Sequence, residues 1–222
     1  MTGLIDITRD SVIFLVFSAV IFIPLEAAFP AKNQPKLKKT DLIFFWLYPS
    51  FGMWTAAVVL YAGALFLRGF LPAAWIDAVH AQPVWLQLCE ALLMAETWIY
   101  VTHRLCHEVD FLWRFHKLHH TVTEMTWTAT FRQHPIDFFL IVLGANLPAM
   151  VLGIDLQPIM LLIAIERLYT VAIHANIAFG LGTLGRFLTS PRFHHLHHHE
   201  GRHGCNYAGM FSFLDVVGKS YK

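Results

Sequence analysis

Charge is scarce in these 222 residues: Asp, Glu, Lys and Arg together make up 14%, hydrophobic residues make up 56%, and the mean hydropathy is +0.52. A chain this apolar has too little polar surface to clothe a soluble domain, so it reads as a membrane protein. The formal net charge is +1 and no basic repeat occurs, which argues against nucleic acid as a partner. Cysteine is also sparse. Cys89, Cys106 and Cys205 are odd in number and lack a CxxC spacing, which argues against a disulfide framework and a cysteine zinc site and leaves three reduced thiols. The chain has no internal repeat or low-complexity tract.

What is abundant is hydrophobic length and histidine. A crossing helix needs roughly 20 mainly apolar residues. Residues 11–29 meet that length and have too few basic residues at their start for a cleaved signal peptide, so they read as a retained first span. Residues 42–67 form a second, with Pro49 and Gly52 allowing a kink or tilt. Residues 84–102 form a third, interrupted by Gln87, Glu90 and Glu96 as in a helix with one side turned to a protein interior. Residues 136–154 and 156–174 form a closing pair, a full or re-entrant hairpin about a turn at 153–158. Lys32, Lys36, Lys38 and Lys39 lie between spans one and two, and the excess of Lys and Arg on cytoplasmic loops puts that loop inside. The N-terminus and the loop 68–83 then lie outside, and every histidine cluster reaches the cytoplasmic face. The expected fold is all-α: an integral membrane helical bundle of about four to five hydrophobic spans with a cytoplasmic histidine-rich helical cap.

Fourteen histidines are present, thirteen of them between His103 and His203. His103 and His107 stand at i and i+4 and stack on one helical face. Glu96 and Tyr100 precede His103 by seven and three residues on that same face, as partners that would orient the imidazoles from behind. The plain alternative is two surface histidines and a snorkelling glutamate. His116, His119 and His120 repeat the clustering at i, i+3 and i+4, with Asp110 as a candidate cap; a solvated basic face is the alternative. Ser190 as N-cap and Pro191 at the first helical position announce a helix carrying His194, His197 and His198 in the same HxxHH spacing. His195, His199 and His203 fall outside the pattern and read as supporting or solvent-facing. His174, at the end of the last span, reads as a ligand, and His134 as either a ligand or a helix-start residue before Pro135. His80 falls on the opposite side.

Imidazole suits zinc, copper, iron and nickel alike. A structural zinc takes four ligands and a catalytic zinc about three, so eight or nine patterned histidines imply two ions. A hydrolytic zinc site has no need of a lipid-facing cavity, whereas oxidation of a long-chain lipid must bring a C–H bond to the metal. The words His103-Arg104, Phe115-His116-Lys117-Leu118-His119-His120, Arg132-Gln133-His134-Pro135, His174-Ala175-Asn176, Pro191 before the last cluster and Asn206-Tyr207 after it resemble the fatty acid hydroxylase and sterol desaturase superfamily over residues 96–218. The resemblance implies two iron ions, dioxygen as co-substrate, electrons from a separate donor of cytochrome, ferredoxin or reductase type, and hydroxylation or desaturation of a lipid. The chain reads as a single membrane domain, 1–222, with N-terminal spans over 1–83 and a histidine-box catalytic region over 84–222. The spans and the cytoplasmic site place it in a bacterial inner membrane or the endoplasmic reticulum. The expected metal ligands are His103, His107, His116, His119, His120, His134, His174, His194, His197 and His198, with Glu96 and Tyr100 as catalytic partners.

The chain departs from the family pattern near its end. Ala208 stands where Gly usually follows Asn-Tyr, and Leu214-Asp215 and Val217-Gly218 replace Trp-Asp and Phe-Gly, which reads as a shortened closing segment. Two other readings are carried forward. A carotenoid-type hydroxylase would share the chemistry on a different lipid. A transition-metal transporter or sensor would need ionisable or sulfur residues along the membrane path, where spans one and two offer little beyond Glu26 and Met53, and Glu166 with Arg167 reads as an internal ion pair.

Overall fold

The computed structural model describes residues 2–33, 40, 43–44, 53–122, 124–154, 156–202 and 204–222. Lys36, Lys38, Lys39, Pro49, Gly52 and His203 lie outside the described residues. Among the described residues all regular structure is helical, and the β-type pairing is an isolated antiparallel bridge between Pro30 and Ile177. The helices are α1 (Thr2–Ala28), α2 (Met53–Arg68), α3 (Ala73–His80), α4 (Val84–Glu108), α5 (Asp110–His116), α6 (Pro135–Val151), α7 (Leu156–His174), α8 (Pro191–Glu200) and α9 (Phe213–Val217). Short 3-10 turns occupy His119–Thr121, Trp127–Phe131 and Gly182–Arg186. Cys89, Cys106 and Cys205 are free.

By length and hydropathy α4 is the helix, among the described residues, that can cross a membrane unaided. Tyr61–Arg68 and Ala73–His80 meet the test together but are bent by 116°, and Val12–Ala28 and Pro135–Val151 are shorter apolar helices. The bend corrects the expectation of a plain loop over 68–83. Pro72, with φ −59°, precedes the first residue of α3, and Val79 is buried in a cluster with Ala91, Ala149 and Ile154. Large apolar side chains face outward along α1 and α2, among them Val16, Val20, Tyr61 and Phe66.

Two opposite ends organise the helices. At one end His80 Nε2 donates to the Gly153 carbonyl at 2.6 Å. Gly153 takes φ +74° in the α6–α7 turn, a left-handed conformation glycine adopts without steric cost. His80 therefore has a structural task far from the other histidines. At the other end the Glu26 carboxylate of α1 accepts the backbone N–H of Trp127 at 2.6 Å and of Asn176 at 2.8 Å. Lys32 N–H donates to Asn176 Oδ1 at 3.1 Å. Leu15, Phe22, Trp127, Phe131, Val171 and Ala175 fill the space between α1, the Trp127–Phe131 turn and α7. The C-terminal ends of α1, α4 and α7 and the start of α6 thus meet at one level.

Residues 204–222 fold over that level. Asp215 accepts the backbone N–H of Tyr207 and of Ala208, each at 2.8 Å, and the Ser220 hydroxyl at 2.7 Å. Asn206 holds φ +61°; its Oδ1 accepts from Lys222 N–H at 2.8 Å and its Nδ2 donates to the Phe193 carbonyl at 3.2 Å. Tyr100 packs with Tyr207 and Ala208. A Cβ built on Gly218 would overlap the Tyr100 phenol, so the α4–α9 contact requires glycine. Gly218→Ala is expected to lower stability by about 1–3 kcal/mol as overpacking does. Gly63→Ala, where a Cβ meets nothing within 4 Å, should be neutral or stabilising by up to about 1 kcal/mol. Thermal unfolding in detergent compares the two, and equal melting temperatures would remove the steric argument.

Candidate metal centre

The histidines arrive from four directions. His103 and His107 sit in the last turns of α4, His174 ends α7, and α8 supplies the third set. Its start is as the sequence suggests: Ser190 Oγ accepts Phe193 N–H at 3.3 Å and Pro191 occupies the first turn. The second set departs from a simple helix. Asp110 lies inside the first turn of α5, the N-cap position is Val109 without a side-chain cap, and α5 ends at His116. The chain then tightens into the 3-10 turn His119–Thr121. Asp110 instead pairs with Arg202.

The result is two groups. His103, His107, His116, His120 and His197 bring their ligand nitrogens within 4.8 Å of one another, and His119, His174, His194 and His198 do the same beside them. Each HxxHH motif contributes to both groups: His116 and His120 to the first and His119 to the second, His197 to the first and His194 and His198 to the second. His120 stacks on His198 across the boundary, with centroids 4.6 Å apart.

Outer hydrogen bonds decide which ring nitrogen faces inward. Nδ1–H of His103 donates to the Tyr207 carbonyl at 2.7 Å, of His107 to Arg202 O at 2.8 Å, and of His197 to Cys205 O at 2.8 Å. In the second group His119 donates to Arg132 O at 3.3 Å and His174 to Thr170 O at 2.7 Å. His116 Nδ1–H donates to Asp137 Oδ1 at 3.0 Å. A carbonyl only accepts, so Nδ1 must carry the proton and Nε2 an unshared pair. Burial, with neighbouring imidazoles adding to it, holds His116, His194, His197 and His198 well below the ordinary imidazole value, and burial pushes His119 down to about 4. These rings are neutral, as metal ligands must be.

Neutral rings locked this way face one another lone pair to lone pair. His103 Nε2 and His116 Nε2 are 3.1 Å apart, as are His119 Nε2 and His174 Nε2, and in both pairs each Nδ1 already carries the proton. His194 Nε2 lies 2.9 Å from His174 Nε2 and 3.2 Å from His198 Nε2; Nδ1 of His194 and of His198 has no acceptor, so the outer hydrogen bonds do not set the tautomer of these two rings. Nε2 of His107 and His197 and both nitrogens of His120 are buried without a hydrogen-bond partner. A cation removes this repulsion. Two imidazole nitrogens bound at about 2.1 Å and at right angles are about 3.0 Å apart, so the observed edges fit a metal with several nitrogen ligands. The residues present fit two metal ions.

Other expected residues have different tasks. His134 joins neither group: its Nδ1 accepts Ile136 N–H at 3.1 Å at the start of α6 and its ring packs on Phe115. Glu96 is buried and accepts Met210 N–H at 2.6 Å, while Tyr100 bonds Ser220 Oγ at 2.9 Å and accepts from Arg104 at 3.0 Å. Both therefore pin the closing segment. His195 Nε2 donates to Ala175 O at 3.0 Å. The expected Glu166–Arg167 ion pair is not made among the described residues: Glu166 Oε1 is buried without a hydrogen-bond partner and the Arg167 guanidinium lies over the Phe138 ring, 5.5 Å from its centroid.

Asp137 is the functional side chain missed in the sequence. It is fully buried and holds His116, with Cys106 Sγ 3.9 Å from the same oxygen. A carboxylate in the first turn of an otherwise uncharged helix was the available signal.

Among the described residues a helical scaffold closes a two-part cage of buried imidazoles able to bind metal, the arrangement of a histidine box. Residues 88–220 match the fatty acid hydroxylase family, and the chain belongs to it. It is 35% identical over 130 residues to ornithine lipid hydroxylase OlsE of Rhizobium tropici, covering 58% of this chain and 37% of that protein. It is 28% identical over 134 residues to human alkylglycerol monooxygenase, covering 57% and 28%. It is 29% identical over 140 residues to Delta(7)-sterol 5(6)-desaturase ERG3B of Gibberella zeae, covering 62% and 43%. The chain thus spans less than half the length of these relatives. No solved structure gives a significant match.

Asp137→Ala leaves the buried His116 Nδ1–H without an acceptor, and is expected to cost about 1–3 kcal/mol of stability and about 10–100-fold in metal affinity. Asp137→Asn retains an oxygen there and should lose less. Metal titration with thermal melting distinguishes them, and unchanged affinity in Asp137→Ala would show that Asp137 does not tune the centre.

Proposed function

We propose that this chain is a membrane-embedded oxidoreductase that hydroxylates or desaturates a lipid C–H bond. The observation that carries the reading is the opposed, unprotonated Nε2 atoms in a cage of nine imidazoles from four segments. His103, His107, His116, His120 and His197 would hold one iron, and His119, His174, His194 and His198 the other. Two irons supply the dioxygen-activating, two-electron chemistry. In hydroxylation one oxygen atom enters the lipid as a hydroxyl, the other leaves as water, and two electrons and two protons are consumed; in desaturation both oxygen atoms leave as water. The likeness to an ornithine lipid hydroxylase, an alkylglycerol monooxygenase and a sterol desaturase supports this class of substrate.

The chain's own part is positional. The carbonyls of Arg132, Thr170, Arg202, Cys205 and Tyr207 and the Asp137 carboxylate fix the inward nitrogens before any ion arrives. Residues 204–222 lie against the cage and limit water there. Glu96, Tyr100 and Arg104 keep that segment in place and act on the centre only through it.

In the bilayer we read four to five crossings within one domain. The 19 residues of α7 extend about 28 Å at about 1.5 Å each, close to a hydrocarbon thickness of about 30 Å, with His174 at one end and the Gly153 turn at the other. Lys32, hydrogen-bonded to Asn176, belongs to the lysine-containing first loop, which supports a cytoplasmic cage in a bacterial inner membrane or the endoplasmic reticulum. Electrons then come from a separate cytoplasmic-side donor of cytochrome, ferredoxin or reductase type.

Protein from iron-57-supplemented cells, purified without a metal-stripping column, is expected to carry about two irons per chain in a coupled pair by Mössbauer spectroscopy. His119→Ala and His197→Ala, one from each group, should abolish lipid-dependent oxygen uptake while remaining monodisperse. A single zinc, or wild-type turnover in either variant, would overturn the reading.

A further inference from the structure

The stretch that joins α7 to α8 is apolar where a connecting loop in water is polar. Among residues 178–188, Thr183 and Arg186 carry the polar side chains. Phe179, Leu184 and Phe187 are each more than half exposed, and so is Phe29 just past the end of α1. Ala178 N–H donates to the Phe29 carbonyl at 2.9 Å, so the two stretches lie side by side. The exposed apolar surface of α1 therefore continues past the helix end onto this segment. Contiguous apolar exposure of this kind marks a surface that something covers.

The backbone and the charges say what covers it. Leu184 N–H donates to Leu181 O at 3.1 Å, Phe187 N–H to Leu184 O at 2.9 Å and Leu188 N–H to Leu184 O at 3.0 Å. The Gly185 carbonyl accepts the Ser212 hydroxyl at 2.7 Å, and the Phe179 carbonyl accepts Arg192 N–H at 3.2 Å. Peptide groups paired in this way can leave bulk water without a large penalty. Charge here has one sign: no Asp or Glu stands between Glu166 and Glu200, and Arg186 and Arg192 are exposed, with no ion pair among the described residues. Irregular backbone facing lipid is excluded from the hydrocarbon core, so a segment that starts just beyond His174 belongs at the headgroup boundary. A second copy meeting this face about a two-fold axis would set the same arginines against one another. Large apolar side chains among cations fit a bilayer surface that carries anionic headgroups.

We propose that residues 178–188, with Phe29, form a docking surface for the cytoplasmic leaflet: Phe179, Leu184 and Phe187 enter below the headgroups, and Arg186 and Arg192 meet anionic phospholipid. The two ends of the segment lead to His174 and His194, both in the second histidine group, so docking fixes the depth of that group against the lipid. The assignment rests on the bilayer reading and deepens it by naming the surface and the lipid charge it takes.

The test is power-saturation EPR on protein in nanodiscs of phosphatidylcholine and phosphatidylglycerol, with a nitroxide at Leu184→Cys or Phe187→Cys in a Cys89→Ala background, since Cys106 and Cys205 are buried. Dissolved oxygen reports lipid and an aqueous nickel chelate reports water. Both labels are expected to respond more to oxygen than to the chelate, like a label at Val20→Cys on α1 and unlike one at the exposed Lys117→Cys. Chelate access at 184 and 187 equal to that at 117, or shielding from both reagents as under a protein partner, overturns the docking surface. Water at 184 and 187 with lipid at 20 refutes that surface alone, whereas water at 20 as well refutes the bilayer reading. Native mass spectrometry of the same preparations reads the charge. The wild type should retain phosphatidylglycerol over phosphatidylcholine, and Arg186→Gln and Arg192→Gln should each lower that ratio about fivefold, the effect of one basic residue at an anionic surface. A ratio unchanged in both variants overturns the arginine contacts.

Discussion

Two unprotonated nitrogens that face each other at about 3 Å repel, and the histidine end of this protein is arranged around two such contacts, His103 with His116 and His119 with His174. The arrangement persists because six of the nine imidazoles are held from outside. A backbone carbonyl or the Asp137 carboxylate takes the Nδ1 proton of six rings, so the tautomer is set before any metal is considered. Removing that outer ring of acceptors would let the histidines turn away or pair as ordinary N–H···N donors and acceptors. The cage is thus a consequence of backbone geometry as much as of histidine content.

That dependence explains the uneven burden on the helices. α4 and α7 deliver histidines at their ends, where the chain leaves apolar surroundings, and α8 is a short helix started by Ser190 and Pro191. α1 has no ligand, yet Glu26 ties it to the backbone at Trp127 and Asn176, next to His174. Residues 204–222 carry no ligand either, but supply the carbonyls of Cys205 and Tyr207, and Asp215, Asn206 and Gly218 shape them. The departures from the family pattern at 208, 214 and 217 fall in this segment, which nonetheless closes on the cage through Asp215 and the Tyr100 contact.

Much of the site was legible in the spacing. HxxxH and HxxHH place imidazoles on shared helical faces whatever the tertiary structure, and nine of the ten expected ligands do converge. The tenth, His134, shows the limit: a histidine before Pro135 satisfies a helix start as readily as a metal, and spacing offers nothing to separate the two. Glu96 and Tyr100 were on the correct face, but a helical face does not name the partner across from it, which here is the closing segment.

The sequence by itself determined the helical class, the apolar character, the three histidine groups and the cap of α8, because these follow from composition and from contacts within a few residues. Only the tertiary structure decided which histidine joins which group: in both HxxHH motifs the first and last imidazoles go to one group and the middle one to the other, whether the backbone there is a 3-10 turn or the α-helix α8. It alone placed Asp137 behind His116 and left Glu166 unpaired with Arg167. Those outcomes depend on how helices distant in the chain cross, and no local pattern encodes a crossing.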